Sequence, residues 1–248
     1  RYGSYVVEGV LFTGANKQLL ATTAKQKCEE RKIRIPLGDR ALLIRFGNTL
    51  DLQTNHNAQS FAEMCRAKLG ATIEGCASNL VSVIVHYDPK KTSVSELKNQ
   101  IMLLMSSFNG QERTETPQAH TIDVKYGGEE GPCLTDVCNT LDITPDAFVQ
   151  KHISEPLNAL ALGFSPGFLY LGLHDEDMRI ARRDKVQENV PAGSILFAAG
   201  QTAITSRSIR TGWHVIGQTN FRNFDPSSEK PIQVNPGELV QFRSVDAL

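Results

Sequence analysis

The chain has 248 residues, 40% of them hydrophobic, enough for one large domain or two of ordinary size, each with its own core. Its 26 basic and 27 acidic side chains leave a formal net charge of −1, so the broad basic footprint of a nucleic-acid binder is absent, and no apolar run reaches the length of a membrane span. Cys28, Cys65, Cys76, Cys133 and Cys138 form no C-x-x-C pair and show no metal-ligand spacing, so free thiols, no metal site and a cytoplasmic location are expected.

Residues 1–31 hold a strand-like run, 5–12, and a helix-like run, 16–31, read as an extension ahead of the first full unit. ALLIRF (41–46) is a β-type run. SFAEMCRAKLG (60–70) follows with Phe61, Met64, Cys65 and Leu69 on one helical face. IEGCAS (73–78) and the β-branched VSVIVHYD (81–88) read as strands. The 93–108 stretch is the best helix, with Ser93 and Glu96 as a capping box and Leu97, Ile101, Leu104, Met105 and Phe108 on one stripe. HTIDVKY (120–126), a strand that could belong to either domain, completes a β-α-β-β-α-β order if IEGCAS pairs as a strand, the ferredoxin-like split βαβ arrangement. The polar, aperiodic segment 110–118 reads as a linker. The boundary is placed there, giving a small α/β domain over 1–118 and a second domain over 119–248.

In the second domain LTDVCNTLD (134–142) reads as one helix. Thr144 as cap and Pro145 at the first helical position start another, carrying His152 near its end. From residue 157 short β-type runs divided by Gly, Pro and Asp predict a closed or sandwich-like β domain. His86, His120, His174 and His214 show no ligand spacing and read as structural.

GFSPGFLYLG (163–172) begins as G-x-S-x-G, the pattern of a serine-hydrolase nucleophile elbow. The elbow needs a backbone N–H donor directly after the serine and a helix beyond it. Pro166 follows Ser165 and has no N–H, and the next residues are rich in Gly and aromatics. Pro166-Gly167 instead suits a tight turn. Phe164, Phe168 and Tyr170 beside it form either a hydrophobic hairpin in a β core or a rigid aromatic lip on a ligand pocket.

The run from His152 through GFSPGFLYLG, then ARR (181–183), VPAGS (190–194), AAGQTAI (198–204), GWHVIGQT (212–219) and NPGELVQF (235–242), resembles the allophanate-hydrolase subunit one family, also called the carboxyltransferase C-D subdomain. LGDRALLIRFG (37–47) is similar to the start of that family's N-terminal domain. The resemblance covers roughly residues 36–245 and implies a cyclophilin-like β-barrel behind a small α/β domain; with the element order read above, the chain is expected to be α+β, a small ferredoxin-like α/β domain followed by that barrel. It also implies a pocket lined by motif residues. His152, Arg182 and Gln201 are the catalytic candidates, and Phe164, Pro166, Gly167, Phe168, Tyr170, Thr202 and Trp213 the substrate-binding ones. His152 on its own reads either as a surface histidine favoured by the helix dipole or as a proton carrier at the domain junction.

This chain departs from the family pattern in places. Thr205-Ser206 stands for Tyr-Pro, Ile209-Arg210-Thr211-Gly212 for Ser-Pro-Gly-Gly, Val186-Gln187 for Pro-Arg, and Gln218 for an arginine. The 205–211 loop is therefore expected to follow its own path. The resemblance implies a subunit that pairs with a second carboxyltransferase-like subunit. The complex would open a cyclic amide such as 5-oxoproline with ATP, or carry out allophanate-hydrolase or urea-carboxylase-type carboxyl transfer on a urea-like amide. The sequence has no G-x-x-x-x-G-K-[ST] loop, so ATP or biotin would enter through the partner and no cofactor is assigned to this chain. The competing expectation is a non-catalytic binding protein, as with a kinase inhibitor of the same family.

Overall fold

A computed structural model describes residues 34–110 and 117–247, so the strand and helix expected in 1–31 and most of the 110–118 linker lie outside the described residues. Strands β1 (Arg34–Leu37) and β2 (Ala41–Arg45) form a hairpin, followed by α1 (Leu52–Leu69), β3 (Gly75–Ser78), β4 (Ser82–His86) and α2 (Val94–Ser107). The four strands make an antiparallel sheet in the order β1-β2-β4-β3. Leu42, Ile44, Val83 and Val85 alternate onto one face and meet Phe61, Cys65, Leu97 and Ile101 of the helices, all fully buried. Each such aliphatic or aromatic side chain contributes about 1.5–3 kcal/mol on burial. The place beside β2 that a split βαβ unit gives to its last strand is held by β1. Residues 120–126 belong to the next unit instead.

The Ser93 cap is present, its side chain accepting from the Glu96 N–H at 3.1 Å. Helix α1 begins eight residues before the expected start, capped by Asp51, which accepts from the Thr54 N–H at 2.7 Å. Its first turns carry Asn55 and Gln59, polar side chains that are nonetheless buried. Asn55 Nδ2 donates to the Leu160 carbonyl at 3.0 Å, and Gln59 Nε2 to the Ala159 and Leu160 carbonyls at 3.1 Å.

Those carbonyls belong to the second unit, a closed barrel of β5 (Ala119–Tyr126), β6 (Leu157–Leu162), β7 (Leu169–Gly172), β9 (Ser194–Ala198), β10 (Gln201–Ile204), β12 (His214–Gln218) and β13 (Leu239–Ser244). Around the barrel the order is β10-β7-β6-β13-β5-β12-β9, and β9 pairs with β10 to close it. Only β13 and β5 run parallel. Closure removes the free sheet edges and agrees with the cyclophilin-like barrel that the resemblance implies. Helices α3 (Leu134–Leu141) and α4 (Pro145–Ile153) pack onto it, the latter starting at Thr144 and Pro145 as expected. Alternation along the strands divides the barrel residues. Leu171, Phe197, Ile204 and Ile216 face the inner core, while Phe168, Leu196, Ala203, Trp213 and Val215 form a second cluster on the outer face. A two-stranded ribbon, β8 (Gln187–Val190) with β11 (Ile209–Thr211), covers that outer face through Val190 and Ile209. Sequence patterning does not reveal this ribbon, because its strands are short and polar. Among the described residues, no helix is long and apolar enough to cross a membrane.

Candidate functional site

Strand β6 enters the 163–168 turn and leaves it as β7. The Phe168 N–H donates to the Ser165 carbonyl at 3.0 Å, with Pro166 second and Gly167 third in the turn at φ +72°. This is the type II geometry that Pro-Gly favours. A side chain at 167 would put Cβ 2.4 Å from Phe224 Cβ and 2.6 Å from Ser206 Oγ. Ser206 Oγ donates to the Gly167 carbonyl at 2.8 Å, and Thr205 Oγ1 donates to the Pro191 carbonyl at 2.8 Å while accepting from the Ser194 N–H. The two hydroxyl residues that depart from the family pattern thus tie the 205–211 loop to both neighbouring turns.

The turn presents a chain of rings. Phe164, held at φ +68°, is 70% exposed; its ring lies 5.4 Å from that of Phe168, which is 4.8 Å from Tyr170, itself 6.1 Å from Trp213. A non-glycine residue at positive φ with an exposed ring is costly to hold, and such strain gathers at functional sites. The Arg182 guanidinium lies over the Trp213 ring, 5.5 Å from its centroid, within cation–π range. These residues line a cavity of about 590 Å³, which Arg207, Arg210 and Thr211 close from the loop and ribbon. Arg210 is paired with Glu188 at 3.0 Å. Among the described residues no carboxylate forms an ion pair with Arg182 or Arg207, and none lines the cavity. Burial pushes the Tyr170 phenol up, opposed by the Arg182 charge, so it remains a protonated donor.

His152 and Thr202 lie elsewhere. Thr202 is fully buried and His152 is 1% exposed. Register pairs Thr202 with Leu171 on the inner face of the barrel, and Ala203 with Tyr170 on the outer. His152 Nε2 and His174 Nε2 each stand 2.8 Å from Thr202 Oγ1, and the Tyr126 hydroxyl is 2.8 Å from His152 Nδ1. A threonine hydroxyl has one proton to give, so at least one of the two imidazoles must donate to it. Burial holds His152 well below its ordinary value, with His174 adding to the shift, and burial lowers His174 to about 4. Both rings are neutral near pH 7.

The structure therefore gathers Phe164, Phe168, Tyr170, Arg182 and Trp213 at one cavity, with Pro166 and Gly167 in the turn that shapes it. It turns Thr202 away from that cavity because strand residues alternate, and it buries His152, correcting the surface reading of that residue. Gln201 is buried on the outer-face side of β10, shared with Ala203, but does not line the cavity. Arg183 donates to Cys133 Sγ at 3.1 Å and Gln187 Oε1 at 2.9 Å, which fixes the ribbon. Ser165 sits on a strand-to-strand turn without a following helix, and its Oγ has no hydrogen-bond partner, so the hydrolase geometry is absent. Arg207 was missed in the sequence, where the only signal was the altered loop around it. His174, read as structural, sits in the buried cluster against Thr202, and Tyr126 was missed because its partner His152 is distant in sequence. Among the described residues, no three metal-ligating side chains stand together.

Residues 32–234 match the family described as carboxyltransferase domain, subdomain C and D. The chain is 28% identical over 223 residues to the B subunit of 5-oxoprolinase from Bacillus subtilis (strain 168), covering 83% of this chain and 90% of that protein. Its fold is similar to the crystal structure of TTHA0988, with a TM-score of 0.73 at 24% identity, over 84% of this chain and 40% of that one. It is also similar to the Kluyveromyces lactis urea carboxylase structure, with a TM-score of 0.71 at 14% identity, over 86% of this chain and 21% of that larger protein. These two structural likenesses concern the fold.

Proposed function

The chain belongs to the carboxyltransferase domain family, subdomain C and D, and from that premise we propose that it is the substrate-binding subunit of an ATP-dependent enzyme acting on a small carboxylate-bearing cyclic amide, of which 5-oxoproline is the leading case. One observation carries this reading: among the described residues, those lining the cavity offer guanidinium charge and ring faces but no carboxylate, imidazole, thiol or lysine. Such a wall binds and orients an anionic ring and has no base of its own for attack on an amide. A second subunit completes the site and brings ATP, which supplies activation of the amide.

In this reading Arg182, stacked on Trp213, holds the substrate carboxylate through charge-assisted hydrogen bonds. Phe164 and Phe168 cover the ring and exclude water. The protonated Tyr170 hydroxyl donates to the amide oxygen, where negative charge grows under attack. Gln201 and His152 act from behind the wall as positioning residues, Gln201 on the outer side of β10 and His152 by fixing Thr202 on the inner. A urea-like amide processed by carboxyl transfer is the neighbouring case, with biotin on the partner.

The test is ATP-dependent turnover of the chain reconstituted with its second subunit, for 5-oxoproline and for the parent lactam lacking the carboxylate. Arg182→Ala is expected to lower kcat/KM for 5-oxoproline by about 10- to 150-fold, the loss of one charged hydrogen bond of about 1.5–3 kcal/mol, chiefly through KM. It should change the parent lactam little. Equal effects on both substrates would remove Arg182 from carboxylate recognition. A second reading, a binding module without turnover, is favoured by the exposed Phe164 ring. It predicts partner capture that Phe164→Ala abolishes and no turnover in any reconstitution.

A further inference from the structure

Several guanidinium groups around the cavity are held by the protein itself. Arg183 donates to Cys133 Sγ and Gln187 Oε1, Arg210 is paired with Glu188, and Arg222 donates to the Thr219 and Phe221 carbonyls at 2.9 Å. Arg207 differs. It lines the cavity and is exposed, and among the described residues its guanidinium has neither a hydrogen bond nor an ion pair. Its backbone is fixed all the same. Ser206, just before it, donates to the Gly167 carbonyl at 2.8 Å, so Arg207 stands beside the 163–168 turn, at the Phe164 end of the row of rings. Arg182 stands over Trp213 at the other end. Strand β11, extended at about 3.3 Å per residue, lies between Arg207 and Trp213 in the chain and keeps them apart. A second unpaired group belongs to the Arg207 end. Ser165 lines the cavity from the same turn, and its Oγ is buried without a hydrogen-bond partner. Native structures rarely leave a buried hydroxyl so without a reason.

We propose that the cavity recognises a ligand with two anionic groups, one held by Arg182 at the Trp213 end and the other by Arg207 and the Ser165 hydroxyl at the turn, with its apolar body across the rings between them. The proposal rests on the reading of Arg182 as a carboxylate site and narrows the substrate class to an elongated amide with an acidic group at each end. In that class 5-oxoproline occupies the Arg182 end alone. The volume agrees: about 590 Å³ lies within the range of about 300–1,000 Å³ that takes drug-sized ligands, and a five-membered lactam with one carboxylate leaves much of it unfilled. No carboxylate lines the cavity among the described residues, so no side chain of the wall competes with the ligand for either guanidinium. A carboxylate accepts from the planar guanidinium fork and from a hydroxyl whose proton rotates to meet it.

The test is calorimetric titration of the full chain with rigid aromatic carboxylates. Terephthalate and its longer biphenyl homologue carry an anion at each end. Benzoate and the biphenyl monocarboxylate carry one, and phthalate carries both at one end. At least one of the end-to-end dianions is expected to bind about 10-fold tighter or more than its monoanion and than phthalate, the worth of one further charged hydrogen bond. Arg207→Ala and Arg207→Gln should each bring that dianion down to the affinity of the monoanion. Ser165→Ala should weaken the dianion more than the monoanion, and equal weakening would remove the hydroxyl from the site. The proposal is overturned if neither dianion gains on its monoanion, if phthalate binds as tightly, or if the gain survives the loss of Arg207. The titrations of the unaltered chain stand even if a variant fails to fold. Monoanions that bind through Arg182 while the dianions gain nothing would overturn the second anion site alone. If nothing in the series binds, or Arg182→Ala leaves monoanion binding unchanged, the carboxylate reading of Arg182 falls with it.

Discussion

At the scale of single residues, the 163–168 turn shows what one position can decide. Gly167 satisfies two demands together: a φ of +72° and an approach so close that a Cβ would meet Phe224 and Ser206. Gly167→Ala is therefore expected to destabilise the chain by about 1–3 kcal/mol from left-handed strain alone, with the collision adding to it. The measurement is the urea midpoint, and an unchanged midpoint would mean the turn relaxes at no cost. The Pro-Gly turn was legible because both residues have backbone signatures that no neighbour overrides. The missing N–H at Pro166 likewise argued against a serine elbow from sequence alone. The positive φ of Phe164 and the inward aim of Thr202 were not legible. The first depends on Phe168 supporting the ring, and the second on strand register, which a one-residue slip would reverse.

At the scale of elements, α1 does two jobs with two faces. Its apolar face packs on the four-stranded sheet. Its first turns lay Asn55 and Gln59 against β6 at an irregularity in the β6–β7 register between Ala159 and Ala161. The residue passed over is Leu160, and its carbonyl, out of the regular ladder, accepts from both amides. The apolar half of α1 was visible as helical periodicity. The amide half was not, because a polar run signals a helix only once the partner carbonyls are known. Asn55 also donates to the Leu80 carbonyl at 2.9 Å. Asn55→Ala is expected to cost about 1–3 kcal/mol, because the Leu80 carbonyl loses its side-chain donor, the Gln59 amide loses the Asn55 Oδ1 acceptor and the Leu160 carbonyl keeps only Gln59, read as a lower urea midpoint. Proton exchange should quicken in β6 as well as α1. Faster exchange in α1 alone would show that the contact does not tie the two units together.

At the scale of the whole molecule, the barrel is closed around a pair of neutral histidines, and its acid response follows from that. His152 stacks between His174 and Phe242, with ring centroids 5.0 and 5.1 Å away, and Tyr126 and Thr202 face its two nitrogens. Asp175 beside His174 favours the charged form, but burial outweighs it. Both histidines have folded-state values below the ordinary 6.5, so between those values and 6.5 the unfolded chain binds more protons than the folded one. Stability is thus full above pH 6.5 and is lost as pH falls toward 4, by up to about 1.4 kcal/mol per pH unit for each histidine. Carboxylates act in a different window. Asp51, hydrogen-bonded by Thr54, and Asp123, hydrogen-bonded by Arg243, are held below 3.8 in the folded chain and lose their contribution as pH falls from there through their lowered values. A plot of Tm against pH should consequently decline already between 6.5 and 4.5, before the carboxylates respond. His174→Asn should make that part shallower, with the His152 contribution remaining, and leave the fall below 4 in place. A flat profile above 4.5 in the unaltered chain would mean that the barrel admits the protons without opening.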